Sequence, residues 1–182
     1  MSTIITIELI TVVQKQLPIN WRGTHGLSHW ARVYENGLRL AAVTGADPKV
    51  VELFALFHDS RRLTDGQDPE HGPRGAKLAE ALRGKYYQLS DERFDLLFLA
   101  CRLHTSAKTH EDITVQTCFD ADRLDLGRVG KTPDPEFLNT EAAKDPKRIA
   151  WSTGQSINGV VPKNVLGRAF TLFGQQTPEC GG

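Results

Sequence analysis

The run from Val50 to Phe57 constrains the fold more than any other stretch, because its apolar residues leave hardly any polar face. Asp47 followed by Pro48 supplies an N-cap and a first helical position, and Val50, Val51, Leu53, Phe54, Leu56 and Phe57 then cover almost the whole circumference. Such a helix is buried, and the rest of the chain must surround it. His58 and Asp59 come next, placing an imidazole and a carboxylate, both good ligands for a divalent metal, at the rim of a core that excludes water. Neighbouring helical residues point about 100° apart, so both reach one ion only if it sits just beyond the last turn. The helix is expected over 50–62, with Thr64-Asp65-Gly66 marking its stop.

The flanking pattern is also helical. Ile4 to Gln16 leans towards a helix ended by Pro18, and His25 to Val43 carries apolar residues at helical intervals with Gly45 as the stop. A polar loop from Asp65 to Pro73 precedes a helix over Arg74 to Leu82, closed by Gly84. Ser90 caps the next, whose stripe of Phe94, Leu97, Phe98 and Cys101 is broadened by Leu96 and Leu99 and which ends near His104. Ile113 to Leu126 is the last strongly patterned segment. Beyond Gly127, Pro133, Pro135, Pro146, Gly154, Gly159 and Pro162 break the chain into short pieces, with one helix at Val165 to Phe173 and a frayed Gly-rich end. Trp151, Phe170 and Phe173 imply some burial there; the segment is open to covering a site, packing on the bundle or pairing two copies as a homodimer. No repeat and no period-2 strand is present, so an all-α compact helical bundle with an irregular C-terminal tail is expected, and 182 residues suit one domain.

Charge and cysteine usage exclude several roles. Lys plus Arg equals Asp plus Glu at 22 each, which disfavours general nucleic-acid binding. No apolar run approaches the roughly 20 residues a bilayer requires, and the chain does not start with a basic region and signal-peptide core. Cys101, Cys118 and Cys180 are an odd number without a CxxC and read as reduced thiols. A cytoplasmic protein without membrane contact is expected.

The six histidines, His25, His29, His58, His71, His104 and His110, all fall before residue 111. A His or Asp recurs at or near the end of an apolar helix: His29 opens one, His58 and Asp59 end the central one, His104 ends another, and Asp120 and Asp122 lie within the segment from residue 114 to 126. Helical bundles build metal sites from imidazoles and carboxylates on separate helices in this way. His110, in a polar loop, reads as solvated.

The set His29-x-x-x-Val33, His58-Asp59 and Ala121-Asp122-Arg123-Leu124, in this order over about residues 20 to 128, resembles the signature of the HD-domain superfamily of metal-dependent phosphohydrolases. The resemblance implies a helical HD-type domain over 1–182, with 129–182 as an extension packed on or covering the core. It implies His29, His58, Asp59 and Asp122 as metal ligands. Asp120 competes with Asp122 for the last place, and the sequence leaves the two open. His71 and His104 resemble the histidines that hold a second metal in binuclear members, so one or two divalent ions are expected, Mn, Ni, Co, Zn or Fe, with Mg a further option. His25 is either a substrate-phosphate contact or a cap-region histidine.

A divalent ion with open coordination positions lowers the pKa of bound water and polarises a phosphoryl oxygen, and the remaining phosphoryl oxygens need donors. Asp59 is placed to bridge two metals; Arg61 and Arg62 are the foremost phosphate contacts, ahead of Lys77, Arg102 and Arg123. The expected substrate is a nucleotide or other small phosphate ester. Relatives that act on nucleotides often carry a carboxylate shortly after the doublet, whereas this chain has Ser60-Arg61-Arg62, leaving Asp65 or Asp68 to replace it from the loop. Two other functions fit the residues: a di-iron oxygenase resembling myo-inositol oxygenase, and a metal-binding regulatory module without catalysis.

Overall fold

Asp47 caps α3 (Pro48–Phe57) by accepting from the backbone N–H groups of Lys49 and Val50, and Pro48 opens the helix where a missing N–H loses no bond. Every residue from Val50 to Phe57 is buried. In the computed structural model, which describes residues 3–174, α3 lies among α1 (Ile7–Lys15), α2 (Leu27–Thr44), α4 (His71–Leu82), α5 (Asp91–Leu103), α6 (Ile113–Arg123), α7 (Glu141–Lys144), α8 (Pro146–Ile157) and α9 (Val165–Gly174). Among the described residues there is no strand, only an isolated bridge between Arg83 and Tyr87, so the fold is all-α as the periodicity predicts. No helix among them is long and apolar enough to cross a membrane. Cys101 and Cys118 are buried free thiols; Cys180 and the Gly-rich end lie outside the described residues.

Two boundaries and one buried stripe differ from the sequence reading for local reasons. α3 stops at Phe57 rather than Arg62, because tight turns take over: the Ser60 N–H donates to the Phe57 carbonyl and the Arg62 N–H to that of Asp59. α4 begins at His71, ahead of the expected Arg74, since Pro73 in a first turn forfeits no hydrogen bond. On α5 the buried stripe is narrower than expected, with Phe94, Leu97, Ala100 and Cys101 inside and Leu96, Phe98 and Leu99 half-buried.

The larger correction concerns the segment after residue 128, which is not simply irregular. Asp145-Pro146 repeats the cap-and-proline start of α3, and Pro146 opens the 12-residue α8 instead of breaking a helix. Leu138, Ala143 and Ile149 form a small apolar cluster with Leu40 of α2 and Leu124, and Leu166 and Ala169 of α9 join the main core, α9 packing on α2.

α4 meets its neighbours through main chain. A Cβ on Gly72 would collide with the Cys101 carbonyl of α5, and one on Gly75 with the Phe57 carbonyl at the end of α3. Only glycine permits this approach, which holds the first turn of α4, with His71, against the helix ends that carry His58 and His104.

Candidate metal centre

Six potential ligands converge from helix ends. His29 sits in the first turn of α2, His58 and Asp59 directly follow α3, His71 is the first residue of α4, His104 caps α5, and Asp122 lies in the last turn of α6. They form two groups that share Asp59. Its Oδ2 lies 3.5 Å from His29 Nε2 and 3.7 Å from His58 Nε2, while its Oδ1 lies 3.1 Å from His71 Nε2 and 3.9 Å from His104 Nε2. Asp122 Oδ1 joins the first group, 3.4 Å from His29 Nε2 and 3.9 Å from His58 Nε2. In each of the triads His29–His58–Asp59 and Asp59–His71–His104 one ligand atom per residue lies within 4.8 Å of the others, so each can hold a metal ion.

The far ring nitrogens show which lone pairs face inward. His29 Nδ1 meets Asp125 Oδ2 at 2.7 Å, His58 Nδ1 the Phe54 carbonyl at 3.1 Å, His104 Nδ1 the Cys101 carbonyl at 2.8 Å, and His71 Nδ1 the Asp68 carbonyl. Oxygen acceptors at all four positions assign the proton to Nδ1 and leave Nε2 as an electron pair. The His29 and His58 Nε2 atoms then approach to 3.0 Å, and those of His71 and His104 to 2.9 Å, with carboxylate oxygens beside them. Facing lone pairs at that distance repel unless a cation or a proton lies among them, so the donor set fits metal ions well.

Burial and charge work in opposite directions here. Burial, the dominant influence, pushes the His58 imidazole down to about 3. On Asp59 and Asp122 burial would raise the pKa, but His58 and the other neighbouring imidazoles outweigh it, with Arg128 adding to them at Asp122; Asp59 ends well below the usual carboxylate range and Asp122 at about 2. His104 goes up: burial would lower it, but the hydrogen bond to Asp59 and the charges of Asp122 and Asp59 prevail.

The structure separates the two carboxylates of Asp120-Ala121-Asp122. Residues two apart on a helix point to nearly opposite sides. Asp120 accepts four hydrogen bonds of 2.8–3.0 Å from the backbone N–H groups and side chains of Asn139 and Thr140, so its oxygens tie the C-terminal segment to α6, away from the histidines. Arg61 and Arg62 part in the same manner. Arg62 is buried, with Nη1 3.4 Å from Asp59 Oδ1 and 3.3 Å from His71 Nε2. The Arg61 guanidinium instead donates to the Gln16 carbonyl at the end of α1, which corrects its placement beside the metals. Lys77 and Arg102 are exposed, and Arg123 donates to the carbonyls of Ala107, Lys108 and Phe137. Of the loop carboxylates, Asp68 is bound to Arg74 by both oxygens, and the half-exposed Asp65 pairs with His25 at 2.9 Å. His25, just ahead of α2, is buried with its ring edge-on to His29.

Two residues near the groups escape the sequence reading. Asp125, fully buried, receives His29 Nδ1, Arg32 Nε and Nη2, and the Ser156 hydroxyl. Arg128 places Nη2 3.8 Å from Asp122 Oδ1. Both lie where the helical pattern fades; the partners of Asp125 are far away in sequence, on α2 and α8, whereas Arg128 faces Asp122 and Asp125 just before it. An opening of about 290 Å³, lined by Arg62, Gly66, Gln67, Asp68, Pro69, His71 and Thr105, reaches the second group.

The fold and the site thus define a helical protein with two adjoining His/Asp groups, each able to hold a metal ion. Among known proteins it is similar to a protein of Halalkalibacterium halodurans described as a symmetrical bis(5'-nucleosyl)-tetraphosphatase: 29% identical over 135 residues, covering 66% of this chain and 71% of that protein. No family model matches the chain, and no solved structure matches it.

Proposed function

We propose that this chain is a metal-dependent phosphohydrolase of the HD type that uses one ion at His29, His58, Asp59 and Asp122 and a second at Asp59, His71 and His104 to hydrolyse a nucleotide phosphoanhydride. The observation that carries this reading is the split orientation of Asp59, one oxygen towards each histidine pair. The tetraphosphatase relative points to the substrate to test first, a bis(5'-nucleosyl) tetraphosphate. When bound, divalent ions supply a water acidified towards neutrality and a Lewis acid for a phosphoryl oxygen. Mixed imidazole and carboxylate ligands suit Mn, Fe, Co, Ni or Zn better than Mg, which favours all-oxygen sites.

The chain's own residues do the rest. The four Nδ1 contacts hold each imidazole in one tautomer and one orientation, so no reorganisation is needed when a metal enters. Arg62, anchored through Nε and Nη2 to the carbonyls of Thr64 and Gly66, keeps Nη1 turned to the Asp59–His71 edge, where it offsets charge on a phosphoryl group. With Asp68 occupied by Arg74, the pair His25–Asp65 is the loop acid-base group left to move a proton to or from the leaving group.

The test is elemental analysis of protein prepared without chelator, coupled to chromatography of products from bis(5'-nucleosyl) tetraphosphate. Two ions per chain and turnover that redox-inert zinc also supports are expected. Turnover confined to iron with oxygen consumption would move the assignment to the oxygenase, and full occupancy without hydrolysis of any phosphate compound would leave a regulatory module.

A further inference from the structure

Three of the four imidazoles rest on acceptors that the bundle itself holds. The Phe54 carbonyl behind His58 lies within α3, the Cys101 carbonyl behind His104 lies within α5, and the Asp125 carboxylate behind His29 is fully buried. His71 differs. Its Nδ1 and its own backbone N–H both donate to the carbonyl of Asp68, which belongs to the loop between the end of α3 and α4. From Leu63 to Glu70 every residue except Asp68 is exposed, so no apolar packing fixes that carbonyl. A carbonyl orients a ligand only as well as its own backbone is held, and a loop with few buried contacts opens easily.

One ion pair does the holding. The Asp68 side chain is only 7% exposed; Arg74 Nη2 lies 2.6 Å from each of its oxygens, and Oδ2 also accepts the Leu63 N–H at 2.8 Å. Arg74 Nε donates to the Arg61 carbonyl at 3.0 Å, so a single guanidinium grips the loop at its start and near its end. Such short charge-assisted bonds, one partner buried, hold far better than a solvated surface pair. His71 and Arg74 stand three residues apart in the first turn of α4 and share a side of the helix. That turn therefore holds residue 68 twice, by its carbonyl through His71 and by its carboxylate through Arg74. The same loop carries Arg62, anchored to the carbonyls of Thr64 and Gly66, with Nη1 at the Asp59–His71 edge. We propose that Asp68 and Arg74 are positioning residues of the second ligand group: their pair fixes the loop carbonyl that orients His71, and so sets the affinity of the second ion without touching the first. This rests on reading Asp59, His71 and His104 as a metal site, and it gives the loop carboxylate a role other than that of acid or base.

The experiment is a chelator competition on the full chain loaded with zinc. Arg74→Met, which keeps the stem and removes the donors, should weaken the second ion by about 10–100-fold and leave the first in place. Arg74→Lys, which returns a donor to Asp68 but none to the Arg61 carbonyl, should recover part of the loss. His104→Ala isolates the first group, and adding Arg74→Met to it should not move the remaining ion. Asp68→Asn should also weaken the second ion, and combining it with Arg74→Met should add little, because two residues acting as one pair are not additive; it is the reading if Arg74→Met does not fold. An unchanged second ion in Arg74→Met, or an equal weakening of both ions, would overturn the proposal. Wild type that holds only one ion sinks the two-ion reading instead, and the positioning role is then read in metal-free protein. There, nitrogen–proton NMR should find the His71 ring proton on Nδ1 in wild type and spread over both nitrogens in Arg74→Met; the same single tautomer in both proteins counts against the role.

Discussion

The two ligand groups share Asp59 yet are built by different means. In the group around His29, the imidazole rests on a fully buried carboxylate, Asp125, itself held by Arg32 and Ser156, and a second carboxylate, Asp122, joins the ligands. In the group around His71, both imidazoles rest on main-chain carbonyls, Asp59 is the lone carboxylate of the triad, and an opening to solvent runs alongside. More negative charge and a carboxylate behind the histidine make a tighter, slower-exchanging metal site. The comparison therefore predicts a resident ion in the first group and a more exchangeable one in the second, next to the opening.

The sharpest way to break this contrast is Asp59→Ala, which removes the shared ligand. Both ions should be lost, and hydrolysis should fall by about 10³-fold or more, read by elemental analysis and steady-state rates. His104→Ala attacks one side only: one ion per chain is expected to stay, and retention of both would show that the groups are not separate sites. A gentler change, Asp125→Asn, keeps the shape behind His29 but removes its charge. It should weaken the first ion by about 10–100-fold in a chelator competition while the second is hardly moved. The smallest effect is expected from pH. His104 holds its proton to higher pH than an ordinary histidine, whereas His58 is pushed down to about 3, so protons compete for the second group first. As pH falls from neutral, the ion at His71 and His104 should leave before the one at His29 and His58; simultaneous release would contradict the asymmetry.

Much of this was legible in the sequence because helix ends were. An all-round apolar helix bounded by Asp47-Pro48 and His58-Asp59 fixes where a ligand pair emerges, and repeats of that pattern at His29, His104 and Asp122 predict convergence. What stayed illegible depends on facing and on distant partners. Asp120 and Asp122 are equivalent as letters, and only the direction of Asn139 and Thr140 decides that Asp120 is tied up. Arg61 and Arg62 are distinguished by the turn that follows α3, a turn the expected longer helix left no room for. Asp125 meets His29 across 96 residues, a pairing that no local pattern encodes. α8 is a different case: its Asp145-Pro146 start copies the signature already used for α3, so the signal was present and the surrounding prolines and glycines masked it.

The bare main-chain contacts of Gly72 and Gly75 with α5 and α3 carry one more consequence. Neither glycine could bind an ion, yet between them they set how far His71 stands from His104 and Asp59. Whether the second group has room to hold an ion then depends on the thickness of a helix crossing as well as on the residues that could bind it. A chain with all six ligands and one extra methyl group at that crossing would read as a two-ion protein and behave as a one-ion protein.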